Sequence, residues 1–277
     1  MGRQRPCWYD AGVPELPEVE AVRRMLEPAL VGVRIDGVEV RRANLRIPFP
    51  PGFGDRLVGQ RVTAVTRRAK YLLAALSSGE TLLVHLGMSG DFRVERHPAS
   101  DQGPHDHVVF VLASGAVVTF NDPRRFGLMD LVPRESLAAH AVLRKLGPEP
   151  LSPEFDGAAL ARGCHRKKVA IKVALLDQRV VAGVGNIYAS EALHVAGLSP
   201  KRRASTLATR SGQPTPAATR LAAAIVKVLT RAIDKPAARF RIYERAGAPC
   251  PRRGCGGTIK RIVQAARSTF YCPKCQR

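Results

Sequence analysis

From Pro14 onward, Val19, Val22, Leu26 and Leu30 recur at helical spacing, with Glu18, Arg23, Arg24 and Glu27 around them. This pattern predicts an amphipathic helix that buries one face, and Pro17 suits its first turn. Between residues 33 and 135 the texture changes to short apolar runs: VRIDGVEV, RVTAVTRRAKYLLAAL, TLLVHLGM, HVVFVLA and AVVTFND. Several alternate, and Gly, Pro, Asn and Asp separate them, which predicts strands. Their number predicts a two-layer β-sandwich. PFPPGFGD (48–55) and ERHPASDQGPHD (95–106) read as loops. Near Leu146 the Pro-rich GPEPLSPEFD leads into a third texture. AALARGC, KKVAIKVALLD, NIYASEALHVAG and TRLAAAIVKVLTRAID carry a helical period, so 157–235 is expected to be all-α, with a basic connection over 201–216. The fold class is therefore α+β and multidomain. The expected divisions are a β-sandwich domain over 14–145 with a leading helix, a helical domain over 146–239, and a short Cys-rich module over 240–277. Residues 1–13 (MGRQRPCWYDAGV) show no period and read as an appended extension.

Charge narrows the partners. The chain has 277 residues, with 44 Lys and Arg against 23 Asp and Glu, a formal net charge of +21. An excess this large, spread from end to end, points to a folded cationic face and a polyanionic partner. Nucleic acid is the first candidate and an anionic membrane surface the second. No apolar run reaches the roughly 18 residues of a membrane span. The N-terminus lacks the apolar core of a secretory signal, so a cytoplasmic location is expected.

Four of the six cysteines fall in the last 28 residues, as Cys250-x4-Cys255-x16-Cys272-x2-Cys275. Two close pairs separated by a hairpin-length spacer suit four thiolates around one tetrahedral Zn²⁺. So short a tail buries too little to fold alone, and the metal supplies the missing stability. Four thiolates leave no open position for water, so this zinc is expected to be structural. The spacer TIKRIVQAARSTFY reads as two strands and a turn, with Arg267 near the turn and basic residues suited to DNA. Cys164 reads as an ordinary helix residue, and Cys7 lies in the extension.

The stretch Pro14-Glu15-Leu16-Pro17-Glu18-Val19-Glu20 carries candidate chemistry. A proline at a free N-terminus is a secondary amine, able to attack a sugar's anomeric carbon and form an iminium. Glu15 beside it can move protons to the opening ring. The same heptapeptide also reads as a plain helix start, since Pro and Glu both favour a first turn. PELPEVE is joined, in order, by RRAKYLL (67–73), HLGMSG (85–90), HDHV (105–108), NDPRRFG (121–127), LGPEPL (146–151), GVGNIYASEAL (183–193) and QAARSTFYCPKCQ (264–276). Taken singly, each has an ordinary structural reading. Together they resemble the formamidopyrimidine-DNA glycosylase family over nearly the whole chain from Pro14.

That resemblance implies a bifunctional DNA glycosylase and abasic-site lyase, a monomer acting on damaged double-stranded DNA in base-excision repair. Its helical domain would be a helix–two-turn–helix module and its tail a zinc finger. Pro14 would be the Schiff-base nucleophile, Glu15 its acid/base partner, Lys70 the lysine assisting β-elimination, and Arg267 the arginine assisting δ-elimination. Asn186 would bind a phosphate beside the lesion. Met88, Arg124 and Phe126 would fill the gap left by the flipped nucleotide, and His105 and Lys167 would make further DNA contacts. Flipping a base costs a few kcal/mol, and apolar wedges offset that cost by replacing lost stacking. GVGN before a helix start offers N–H groups and a helix dipole to phosphate.

Two features depart from the family. Thirteen residues precede Pro14, and a prolyl nitrogen inside a peptide bond is no nucleophile. Val13 is what an internal GTG start codon reads as, so the expectation is that the mature chain begins at Pro14 after initiator removal. Second, only DKPAARFRIYERAGAP lies between Ile233 and Cys250. The family carries about twenty more Gly-rich residues there, in a loop of the kind that often closes over ligands. Oxidised purines are the expected substrates, with 8-oxoguanine excised weakly. The alternatives are an endonuclease VIII-like enzyme for oxidised pyrimidines, against which Leu16 speaks, and a non-catalytic damaged-DNA binder should Pro14 stay blocked. A zinc-ribbon RNA-binding protein is a third, against which PELPEVE and NDPRRFG argue.

Overall fold

A computed structural model describes residues 13–96, 103–236 and 238–277. Residues 1–12 of the expected extension and 97–102 of the expected loop lie outside the described residues. The chain forms two compact units, one ending at Arg144 and the other spanning Lys145–Arg277.

The first unit begins with α1 (Leu16–Leu30). Leu16, Val19, Val22 and Leu26 are at most 3 % exposed, the single apolar face that the spacing predicts. Eight strands follow: β1 (Ile35–Val40), β2 (Val62–Arg68), β3 (Tyr71–Leu76), β4 (Glu80–His85), β5 (Asp91–Glu95), β6 (Asp106–Leu112), β7 (Val117–Asn121) and β8 (Leu128–Pro133). They form two four-stranded antiparallel sheets, ordered β1-β6-β7-β5 and β2-β3-β4-β8. The inward side chains of both sheets share one core, with Phe92, Phe110 and Phe120 from one sheet and Leu72, Leu76, Val84 and Met129 from the other. This is the expected two-layer sandwich. Helix α1 packs against β2 and β3 of one sheet and β5 of the other. The short α2 (Phe53–Leu57) begins within the stretch read as a loop at 48–55 and adds Phe53 and Leu57 to the core.

The second unit holds α3 (Gly157–Cys164), α4 (Ile171–Leu176), α5 (Asn186–Ala196) and α6 (Pro216–Asp234). Asp156 caps α3, its side chain accepting the Ala159 N–H. Gly197 ends α5 in the left-handed region at φ +72°. The LGPEPL motif runs beside the loop after α4: Gly147 N–H donates to Gln178 O, and a Cβ on Gly147 would lie 2.5 Å from Arg179 O. The chain ends in the antiparallel hairpin β9 (Lys260–Gln264) and β10 (Arg267–Tyr271). Glu191 on α5 ties the approach to that hairpin. Its buried carboxylate accepts the backbone N–H groups of Arg241, Ile242 and Tyr243 at 2.9, 2.8 and 3.0 Å. Among the described residues, no helix is long and apolar enough to cross a membrane.

Glu191→Ala strands those three donors, and is expected to lower stability in urea unfolding by about 3 kcal/mol. A loss below about 0.5 kcal/mol, within the range of an ordinary surface change, would contradict this account of the linkage.

Candidate active site and nucleic-acid interface

Pro14 and Glu15 are buried at the start of α1. Glu15 is the N-cap and pairs with Glu18 in a reciprocal capping box, the Glu15 N–H donating to Glu18 Oε2 at 2.9 Å. The helix dipole favours both carboxylates here. Local helix energetics thus fix the two residues in which the sequence places the chemistry. Lys70 belongs to the same unit and sits in the two-residue turn between β2 and β3, where Arg68 pairs with Tyr71. His85 ends β4 opposite Tyr71, their ring centroids 4.8 Å apart. Its Nδ1 accepts the Gly87 N–H at 3.0 Å, which leaves the proton on Nε2. Burial, with the Lys70 and Arg46 cations nearby, pushes the His85 imidazole down to about 4. At neutral pH it is an uncharged N–H donor beside Lys70.

The segments HLGMSG and NDPRRFG meet face to face. Gly87, at φ +70°, has no room for a Cβ, which would lie 2.3 Å from the Phe126 carbonyl carbon. Asp122, fully buried, locks the two loops. Its Oδ1 accepts the Ser89 hydroxyl at 2.6 Å and its Oδ2 the Gly127 N–H at 2.7 Å. Ser89 Oγ in turn accepts the Arg124 N–H at 3.1 Å. Three side chains project from this platform. Met88 and Phe126 are 37 % and 43 % exposed, and the Arg124 guanidinium lies 5.0 Å from the Phe126 ring centroid. The structure thus brings the three expected gap-filling residues onto one pair of loops. His105 is exposed nearby in sequence, its carbonyl accepting the Asp122 N–H at 3.0 Å. Its neighbour Asp106 anchors the strand start by accepting from Arg93, Gly103 and Asn121.

In the second unit, GVGN forms the turn into α5. Gly183 sits at φ +81°, and Gln178 holds the turn by accepting the Gly183 N–H and donating to Val184 O. Asn186 is half-buried at the first position of the helix, its Nδ2 donating to Ser268 O and the Tyr243 hydroxyl at 3.1 and 3.2 Å. Lys172, fully buried on α4, donates to Asn186 Oδ1, to Thr269 Oγ1 at 2.7 Å and to Ser268 O at 3.1 Å. Three acceptors match the three donors of an ammonium. Asn186 is thereby fixed beside the start of β10, one residue from Arg267. That arginine is exposed and follows a two-residue turn, Ala265-Ala266, with both φ positive at 48° and 58°. Lys167 is half-buried and pairs with Asp177 at 3.4 Å. Hydrogen bonds and charge from Arg179, with the Lys167 charge added, outweigh burial and hold the Asp177 carboxyl down to about 2.

The four expected ligands converge. The Sγ atoms of Cys250, Cys255, Cys272 and Cys275 all lie within 4.8 Å of one another. The Cys250–Cys275 and Cys255–Cys272 separations are 3.8 and 3.6 Å. Tetrahedral Zn–S bonds of about 2.3 Å require S···S edges of roughly 3.8 Å, so the donor set fits one zinc. Gly257 leaves space for it: a Cβ there would meet Cys272 Sγ at 2.7 Å. His194 on α5 reaches Cys250 Sγ with Nε2 at 3.3 Å, an outer-shell contact. Cys164 is buried in α3, as an ordinary helix residue would be.

Comparison with known proteins agrees along the chain. Residues 13–129 match the formamidopyrimidine-DNA glycosylase N-terminal domain, 146–243 its H2TH domain, and 247–277 the zinc finger found in FPG and IleRS. Formamidopyrimidine-DNA glycosylases of Beijerinckia indica and Rhodopseudomonas palustris are each 53 % identical, over 288 and 293 residues, covering 96 % of this chain and all of theirs. The Lactococcus lactis enzyme, solved non-covalently bound to DNA containing an abasic site, superposes with a TM-score of 0.85 at 31 % identity, covering 95 % of this chain and all of its own. MutM in complex with DNA containing carbocyclic 8-oxoguanine gives 0.84 at 30 %, with the same coverage. The fold and the four-cysteine hairpin are those of a zinc-finger base-excision glycosylase. The chain belongs to the formamidopyrimidine-DNA glycosylase family.

Sequence reasoning passed over His85, Asp122 and Lys172. Lys172 left one signal, a lysine between Ile171 and Ala174 on the buried side of a helix. Two outcomes are expected. By ¹⁵N NMR, His85 stays neutral with its proton on Nε2 from pH 8 to pH 5, and a midpoint near the ordinary value of about 6.5 would contradict its burial. The unfolded chain binds that proton first, so the contribution of His85 to stability is complete above about pH 6.5 and is lost as pH falls toward 4. Gly257→Ala is expected to reduce bound zinc well below one per chain by elemental analysis, and full occupancy would overturn the geometry given for the site.

Proposed function

We propose that this chain excises oxidised purines from duplex DNA and then breaks the strand at the abasic sugar, with the Pro14 nitrogen as nucleophile. The observation that carries this reading is the platform of Met88, Arg124 and Phe126. Two large apolar side chains held out to solvent by a fully buried aspartate serve no need of the fold. They suit a gap in a base stack, with Arg124 placed to hydrogen-bond the orphaned base. The similar proteins solved with damaged DNA support the same partner.

In this mechanism the Pro14 amine attacks the anomeric carbon while Glu15 protonates the opening ring, and the damaged base leaves. The iminium acidifies the neighbouring carbon, and Lys70 assists loss of its proton and of the 3′ phosphate. Arg267 assists the second elimination. Asn186 and the N–H groups at the start of α5 hold phosphate, with His105 and Lys167 adding contacts. Zinc stays structural and keeps β9 and β10, and so Arg267, in place. The division into 14–145, 146–239 and 240–277, a monomeric state and a cytoplasmic, nucleoid-associated location belong to this reading. So does a mature chain beginning at Pro14, which the family match starting at residue 13 supports.

Alignments with the curated relatives are longer than this chain, so those relatives carry residues it lacks. The short passage from Asp234 to the zinc module is where the sequence places the loss. Formamidopyrimidine and abasic duplexes are therefore expected to be cut efficiently, and 8-oxoguanine at least about tenfold more slowly, the cost of about 1.4 kcal/mol of lost contact. Single-turnover rates on the three duplexes and on one carrying an oxidised pyrimidine check this. Equal rates for 8-oxoguanine would remove the inferred defect, preference for the pyrimidine would favour the endonuclease VIII-like reading, and no cleavage of any would leave a binder.

A further inference from the structure

The turn that carries Lys70 is strained. It has two residues, and the first, Ala69, sits at φ +53° with 1 % exposure. Hairpin turns place glycine at such a position, because a Cβ in the left-handed region costs about 1–2 kcal/mol. Something else in the fold therefore holds Ala69 there.

Arg67 provides that hold. Its Nη1 donates to Ala69 O at 2.9 Å, while its Nε donates to Glu20 Oε2 at 3.2 Å. Glu20 lies on α1, the helix that begins with Pro14 and Glu15, 47 residues away in sequence. The same carboxylate accepts from Arg23 and Arg24 at 3.0 and 3.1 Å, and Arg23 reaches Val65 O on β2 at 3.3 Å. The Arg67 and Glu20 side chains are only 10 % and 13 % exposed, which spares the pair much of the screening that weakens surface ion pairs. Burial alone would raise the Glu20 carboxyl, yet the arginines outweigh it and hold the group below its ordinary value, charged at neutral pH. A guanidinium can bridge two acceptors in a fixed fork, and an ammonium cannot reproduce that geometry.

We propose that Arg67 is a positioning residue that sets Lys70 against the Pro14–Glu15 end of α1, by tying the carbonyl of the strained residue before Lys70 to a carboxylate on that helix. Strain at Ala69 then has a function: it aims the next residue and is retained because the clamp opposes its relaxation. Arg67 acts through Lys70 and needs no contact with DNA.

The proposal rests on Lys70 assisting elimination, and a double-mutant cycle separates the two ideas. Single-turnover strand cleavage of an abasic duplex is measured for the native enzyme and for Arg67→Met, Lys70→Ala and the double variant. Melting temperature and bound zinc are recorded for each. A misplacement of about 1 Å costs on the order of a hundredfold, so Arg67→Met is expected to slow cleavage between tenfold and a hundredfold in the native background. It should cost nothing further once Lys70 is alanine. A second loss that multiplies the first would overturn the proposal, since a general structural role acts without regard to Lys70. Native speed in Lys70→Ala would instead remove the reading of Lys70 itself. Should Arg67→Met melt early, Arg67→Lys decides: it keeps the charge beside Glu20 but not the fork, so cleavage slows at native melting temperature. Native cleavage in Arg67→Lys would overturn the assignment.

Discussion

Burial of one helical face governs the first unit. Leu16, Val19, Val22 and Leu26 leave solvent almost completely, against strands of both sheets. Each such side chain contributes about 2 kcal/mol of burial, and the contacts leave α1 no freedom to rotate. Pro14 lies two residues before Leu16. A nucleophile placed there adjoins a rigid element, which is what a reaction needing sub-ångström alignment requires. The capping box of Glu15 and Glu18 then orients Glu15, the proposed acid, through the same forces that start any helix.

Buried polar groups do the remaining placement, one per functional feature. Asp122 joins the two wedge loops, Lys172 fixes Asn186 against β10, Glu191 holds residues 241–243, and the Arg67–Glu20 pair reaches the Lys70 turn. Burying a polar or charged group is costly unless its hydrogen bonds are met. Each of these meets at least one partner from a segment remote in sequence. Such groups define position, because a shifted loop would strand them. The zinc works similarly in the hairpin, where a small apolar cluster around Ile242, Ile259 and Phe270 is supplemented by four thiolates.

Much of this was legible in the sequence, and the rest was not, for a physical reason. Periodicity located α1, the strands and the helices, since burial of one face is a local pattern. The cysteine spacing and the QAARS turn were local as well, whereas the grouping of Met88 with Arg124 and Phe126 came only from the family resemblance of two separate motifs. The polar clamps were hidden because their partners lie far apart. Ser89 and Asp122 are 33 residues apart, Glu20 and Arg67 47, and Lys172 and Thr269 97. No window along the chain contains both ends, and Asp122 or Arg67 alone looks like a surface residue. The left-handed alanines at 69, 265 and 266 were equally silent, because alanine carries no preference for that region. Helix α2 escaped because it begins inside a Pro- and Gly-rich stretch, and its own buried residues are Phe53 and Leu57 alone.

The central claim is chemical: we propose that the amine of Pro14, free at the start of the mature chain, forms a covalent iminium with the sugar. Reducing the native enzyme with borohydride on an abasic duplex fixes that bond. Peptide mass mapping of the adduct then reads its position. The account predicts a deoxyribose-derived mass on the peptide that begins at Pro14. An adduct on Lys70 or any other amine, or no adduct from enzyme that still binds the duplex, would contradict it.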